Sequence, residues 1–309
     1  MTTLILIAVA GLAAQLVDGG LGMGFGATST TILILLAGLG PAQASAVVHA
    51  AELGTTLASG LSHWRLGNVN WRVVAAIGIP GGVGAFLGAT FLSTMSTEAA
   101  RPIMSAVLVA IGLNLMLRFS RGLTQRTLRP KPHSKGFLGG LGFVGGFIDA
   151  TGGGGWGPVT TSTLLSAGRE EPRRIVGTVN TAEFVVTSAA TLGFVLGMWD
   201  DLLSNLAAVI ALLVGGVIAA PVAAWIVSRL NPILLGGIVG TLIVLLNLPV
   251  VLNFASVPHA WIAQAVVLVS GVALSGTGVY RARRNSKTAA QAEQNPTKSI
   301  SVEPQPIES

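Results

Sequence analysis

Asp18-Gly-Gly-Leu-Gly-Met-Gly-Phe-Gly26 interrupts an apolar stretch from Leu4 to Ala37, and Asp149-Ala-Thr-Gly-Gly-Gly-Gly-Trp-Gly157 interrupts a second one from Gly136 to Gly168. A membrane-crossing helix needs about 20 apolar residues, so each stretch is too long for one helix and too short for two full ones. Glycine inside a helix costs about 1 kcal/mol relative to alanine, and neither cluster would sit cheaply in a continuous helix. Each stretch therefore predicts a helical hairpin or a pair of half-helices broken near its middle. Apolar runs of crossing length lie outside them at Ala42 to Ser62, Val73 to Ser93, Pro102 to Leu117, Ile175 to Leu196, Leu202 to Val227, Pro232 to Leu252 and Trp261 to Tyr280. The expectation is an all-α membrane protein with about seven full transmembrane helices and two glycine-broken helical hairpins.

Composition agrees with a bilayer environment. The 309 residues are 51% hydrophobic and only 10% charged, against roughly 25% charged in soluble domains, and the mean hydropathy is +0.73. The 41 glycines suit helices that approach closely in lipid. With no cysteine, a disulfide frame or a thiolate metal site is excluded. No GxxxxGK[ST] loop is present, so direct ATP drive and a nucleotide cofactor are not expected, and no tightly bound metal is indicated.

The formal charge of +6 does not point to nucleic acid, because the basic residues sit between apolar runs. Arg118, Arg121, Arg126, Arg129, Lys131 and Lys135 fill one connector, and Arg281, Arg283, Arg284 and Lys287 follow the last run. Under the positive-inside rule both segments are cytoplasmic. Counting back from the tail then places Asp200 and Asp201 outside and Arg169 to Arg174 inside, so the stretch from Gly136 to Gly168 begins and ends on one side. The N-terminus lacks a basic leader, and no cleaved signal peptide is expected. The tail beyond Arg281 is polar, with too little apolar content to order itself.

An ungapped offset of 131 residues superposes the two halves. Asp18 falls on Asp149, Gly22 on Gly153, Gly24 on Gly155, Gly26 on Gly157, Thr30 on Thr161, Pro41 on Pro172, Glu52 on Glu183 and Thr56 on Thr187. Each half holds a broken hairpin and three crossings, an odd number, which predicts two inverted repeats. Arg65 and Arg72 in a first-half loop, against Asp200 and Asp201 in its counterpart, agree with the inversion. The organisation expected is a first membrane repeat (1–118), a basic cytoplasmic linker (119–135), a second repeat (136–252), a final helix (253–280) and a disordered cytoplasmic tail (281–309).

Of the 12 acids, only Asp18, Glu52, Asp149 and Glu183 fall in membrane-embedded stretches, as two repeat-related pairs. A charged residue at mid-membrane costs about 2.5–3.5 kcal/mol on insertion scales, a cost that usually accompanies function. His49 stands three residues before Glu52, on the same helix face, and the two form a candidate proton-exchanging pair. Asn180 takes the equivalent place before Glu183. Asp18 and Asp149 also suit an N-cap role ahead of the following half-helix. The glycine turns expose backbone amides at half-helix N-termini, a setting that favours an anion. The expected substrate-binding residues are thus Gly22, Gly24, Gly26, Gly153, Gly155, Trp156, Gly157 and Asn180, with Asp18, His49, Glu52, Asp149 and Glu183 handling coupling protons. Broken helices in inverted repeats are a common architecture of secondary transporters, whose substrate site lies at the repeat interface.

At Asp18 to Gly26, Pro41 to Glu52 and the copy from Asp149 to Glu183, the chain resembles the TauE/SafE family of sulfite exporters and related permeases. The resemblance covers roughly Leu4 to Tyr280 and implies a multi-pass plasma-membrane protein that exports small sulfur-containing anions such as sulfite or organosulfonates. In the second turn Ala150 and Thr151 replace Gly19 and Gly20, and Trp156 replaces Phe25, so the two halves need not contact substrate alike. The expected partners are a small anionic substrate and membrane lipid, and a homo-oligomer is compatible with the sequence. A Na⁺ or divalent-metal carrier using the four acids is the second transport reading. An intramembrane aspartyl protease and a purely structural role are the readings from other classes.

Overall fold

The computed structural model describes residues 2–21, 23–122, 132–167, 169–227 and 231–294. In chain order the helices are α1 (Thr2–Leu21), α2 (Phe25–Leu36), α3 (Pro41–Arg65), α4 (Trp71–Ser93), α5 (Thr97–Ser120) and α6 (Lys135–Gly152). A π-helical turn (Gly157–Thr161) then leads into α7 (Ser162–Ala167), followed by α8 (Pro172–Ser204), α9 (Leu206–Val227), α10 (Pro232–Phe254) and α11 (Ala260–Gln294). Local chemistry sets the starts. Pro41, Pro172 and Pro232 each open a helix, where the missing N–H costs nothing. The side chains of Asn70, Ser96, Ser134 and Asn231 accept first-turn amides of α4, α5, α6 and α10.

Both stretches break where the glycines predict. Gly24 has φ 109°, and Gly153 and Gly154 have φ 67° and 140°, left-handed backbone that favours glycine. Arg169 donates to the Pro132 carbonyl oxygen at 2.8 Å, so the two ends of the second broken stretch lie together.

Five helical stretches among the described residues are long and apolar enough to cross a membrane, against the seven expected: Trp71–Ser93, Thr97–Ser120, Pro172–Ser204, Ile233–Phe254 and Ala260–Thr288. At 25 residues α3 has the length, but His49, Glu52 and its hydroxyl side chains lower its hydropathy. α8 also continues past Leu196 to Ser204 through a kink at Met198, so Trp199 to Asp201 are helical rather than a loop. The tail departs similarly. α11 extends to Gln294, because Ala, Arg, Lys, Gln and Glu beyond Tyr280 are good helix formers even without a core to join. Residues 123–131 of the expected linker and 295–309 of the expected tail lie outside the described residues.

Packing follows the sequence repeat. The 131-residue offset maps α1 to α5 onto α6 to α10. α1 packs chiefly on α9, and its counterpart α6 packs on α4, the counterpart of α9. α3 packs on its own counterpart α8, and α5 on its own counterpart α10, while α11 lies against α10 and α5.

The swapped pairs are held at backbone contact. A Cβ on Gly84 would lie 2.1 Å from the Phe143 carbonyl oxygen, and one on its repeat mate Gly215 would lie 2.0 Å from that of Ala8. Gly84→Ala should therefore destabilise by roughly 1–3 kcal/mol through overpacking, read as a lowered unfolding midpoint in detergent. An unchanged midpoint would mean that α4 and α6 separate freely.

The basic segments gather at one end. Asn70, between Arg65 and Arg72, donates to Glu170 at 2.9 Å, Arg169 reaches Pro132, and Arg281 donates to the Ser120 carbonyl oxygen at 3.1 Å. Elsewhere Gln43, in the first turn of α3, donates to Asp201 at 2.7 Å, joining that end of α3 to the acidic segment.

Candidate functional site

The two helix breaks touch. Thr30 of α2 donates its hydroxyl to the Gly153 carbonyl oxygen, and a Cβ on Gly26 would stand 2.5 Å from the Gly154 Cα. Only residues without side chains permit that approach. Beside the contact lies a cavity of about 80 Å³, several times the ~10–15 Å³ one water requires. Asp18, Glu52, Asp149 and Glu183 all line it. Four acids separated by up to 165 positions in the chain thus meet in one place, supplied by α1, α3, α6 and α8. Gly24, Gly26, Trp156, Gly157 and Asn180 also line it, whereas Gly153, Gly155 and His49 stand behind the wall. Gly22 lies outside the described residues.

Each Asp caps the half-helix that follows it. The Asp18 carboxyl faces the Phe25 amide at the start of α2. Asp149 Oδ1 accepts from the Gly155 amide at 2.6 Å and the Trp156 amide at 2.8 Å. This corrects the expected anion cradle in one respect: the amides of Gly155 and Trp156 are already occupied by the chain's own carboxylate. Trp156 is fully buried and donates its indole N–H to the Val179 carbonyl oxygen at 3.1 Å, fixing the break to α8.

His49 corrects another expectation. Its ring does not pair with Glu52 on its own helix but crosses to the other half, with Nε2 3.2 Å from Asp149 Oδ2. Nδ1 lies 2.8 Å from the Ser45 carbonyl oxygen, which can only accept, so Nδ1 carries hydrogen. Nε2 and Oδ2 are then two acceptors face to face unless one proton lies between them. Both groups are buried, His49 completely, and the contact ties α3 to the second break. Ser45 supports the join by donating to the Ala150 carbonyl oxygen at 2.7 Å.

Glu52 is left free. Its Oε2 is buried without a hydrogen-bond partner, and Asp149, Glu183 and Asp18 are all within electrostatic reach, so the four acids repel one another when ionised. The uncharged polar lining comes from Gln15, Thr55, Thr56, Ser59 and Asn180, with Asn180 donating to Ser59 at 3.2 Å. The sequence reading missed Thr55, Thr56 and Ser59, although their spacing of three, four and seven from Glu52 marks one helix face. Of the remaining histidines, His133 stacks on Phe137 with ring centroids 5.5 Å apart. Burial and the neighbouring Arg169 hold its imidazole below its ordinary pKa.

A chain whose repeated glycine breaks enclose four membrane acids matches the family model described as sulfite exporter TauE/SafE over residues 7–250. The chain belongs to the TauE/SafE family. A relative from Bacillus subtilis (strain 168), described as probable membrane transporter protein YtnM, is 44% identical over 271 residues, covering 86% of this chain and 87% of that protein. No solved structure matches. This TauE/SafE protein is a multi-pass membrane transporter. The matched residues take in both breaks and all four acids but end before α11.

Proposed function

We propose that this TauE/SafE protein is a secondary transporter that exports a small sulfur oxyanion, sulfite or an organosulfonate, by alternating access with proton coupling. The observation that carries the reading is the meeting of two repeat-related breaks beside one acid-lined cavity, the placement expected of a site between inverted repeats. The exchange of packing partners between halves supports the repeat, and the basic end supports a cytoplasmic C-terminus in the plasma membrane. Outward movement of an anion also gains about 2.3 kcal/mol per charge per 100 mV from an inside-negative potential.

In this mechanism the His49–Asp149 proton and the free Glu52 carboxyl make up the coupling group. Loss of the shared proton sets imidazole and carboxylate against each other and loosens the tie between α3 and the second break. The oxyanion then has Asn180 and the hydroxyls of Thr55 and Ser59 as its donors in the cavity. Glu183, the repeat mate of Glu52, takes part in the same exchange.

The test is sulfite and sulfoacetate flux in proteoliposomes under an imposed pH gradient. Glu52→Gln and Glu183→Gln are expected to lower gradient-driven flux about a hundredfold or more, the range of a lost general acid or base. Flux in both variants at the wild-type level and still driven by the gradient would remove the proton role.

A second reading stands on a specific observation: four acids line the cavity and none of its lining residues is Lys or Arg. That lining suits a cation. Among the described residues no three potential ligands converge as a metal site. Sodium flux without sulfite or sulfoacetate flux in the same vesicles would establish it in place of ours.

A further inference from the structure

The acid-lined cavity is a poor first stop for an anion, and the question is which group receives the solute before it meets four carboxyl groups. Most described arginines with hydrogen bonds spend them at the ends of the molecule: Arg169 on Pro132, Arg173 on Glu171 and Arg281 on Ser120. Arg118 differs. It sits in the last turn of α5, at the basic end, yet its side chain turns inward between the two broken stretches. Its Nη1 donates to the Ser162 hydroxyl, in the helix after the second break, and contacts Met23 Sδ, in the first break, at 3.5 Å. Among the described residues no carboxylate pairs with it. A half-buried guanidinium without a counter-ion is costly, and its planar fork of donors matches an oxyanion.

Met23 joins this arginine to the cavity. It is 2% exposed, lines the cavity on one side and meets Arg118 and the Ser162 hydroxyl on the other. A flexible thioether thus bridges the cation and the acid-lined cavity, and it can change rotamer at little cost.

Resting on the export reading above, we propose that Arg118 is the anion-receiving residue: its guanidinium binds the oxygens of the sulfur oxyanion at the basic end and passes them by Met23 into the cavity. The residue deepens the site with a cation that the sequence placed in a surface connector. The positive charge fixes the sign of the solute, and the fork favours planar or pyramidal oxyanions over halide.

The test is the concentration dependence of sulfite and sulfoacetate flux in proteoliposomes holding wild type, Arg118→Gln, Arg118→Lys or Ser162→Ala. Arg118→Gln should raise the half-saturating concentration about tenfold, the equivalent of one lost charge-assisted hydrogen bond, with a smaller change in maximal rate. Arg118→Lys, which keeps the charge but not the fork, should recover only part of the loss, and Ser162→Ala, which keeps both, should stay near wild type. A purely structural role would lower maximal rate or protein yield in all three variants and leave half-saturation unchanged; that result overturns the assignment.

Should Arg118→Gln fail to fold, the wild-type protein gives the answer. Sulfoacetate, which unlike sulfite does not add to the reagent, should slow modification of Arg118 by phenylglyoxal, read by mass spectrometry. Modification at an unchanged rate overturns the assignment. Wild-type vesicles that carry neither anion would overturn the export reading itself, whereas wild-type flux with unchanged half-saturation in Arg118→Gln removes Arg118 alone.

Discussion

Asp149→Ala is expected to abolish transport and to cost about 3–5 kcal/mol of stability, whereas Asp149→Asn is expected to abolish proton-driven transport with the fold nearly intact. Alanine strands the buried Gly155 and Trp156 amides and leaves His49 without its partner. Breaking a buried pair by removing one member costs on that order, a large share of the 5–15 kcal/mol typical of a folded domain. Asparagine offers the same shape. Its Oδ1 can accept both amides, and its Nδ2–H can donate to His49 Nε2, whose Nδ1–H is already given to Ser45. Every bond is kept, but the transferable proton is gone. Thermal unfolding in detergent separates the two variants, and flux under a pH gradient provides the second readout. If Asp149→Asn still carries substrate at a wild-type rate under the gradient, the shared proton plays no part in coupling.

Gly154→Ala is the other severe substitution. The residue has φ 140°, backbone that only glycine adopts readily, at a cost of about 1–3 kcal/mol for another residue. An added Cβ would also lie 2.0 Å from the Ala27 nitrogen and 2.2 Å from the Gly26 carbonyl carbon. Backbone atoms cannot swing aside as a side chain can, so the two breaks must part. The expected result is loss of flux with a sharply lowered unfolding midpoint or no recoverable protein. Gly276→Ala, where a Cβ would meet nothing within 4 Å, is the matched control and should behave as wild type. Normal flux in Gly154→Ala would show that contact between the breaks is dispensable.

The features legible in the sequence were those encoded by spacing within one half. The glycine breaks, the capping aspartates and the repeat of Glu52 in Glu183 follow from local backbone preference and from comparing one half with the other. The pairing of His49 with Asp149 was not legible, because helical spacing offers only Glu52 as a neighbour and the true partner is 100 residues away. Arg118 was misplaced for a related reason. Its position at the edge of an apolar run reads as connector, while its side chain reaches back to Met23 and Ser162. The low hydropathy of α3 has a functional cause, because Glu52, Thr55, Thr56 and Ser59 on this one helix all line the cavity.

The exchange of packing partners between halves bears on how the protein is made. α1 starts at Thr2 and its chief neighbour α9 starts at Leu206, so at roughly 5–20 residues per second α1 waits on the order of 10–40 s after synthesis before its partner exists. For that interval its glycine face has only lipid or the insertion machinery to cover it. Biogenesis of this transporter thus cannot proceed one half at a time, and neither half expressed alone should reach a stable form in the bilayer.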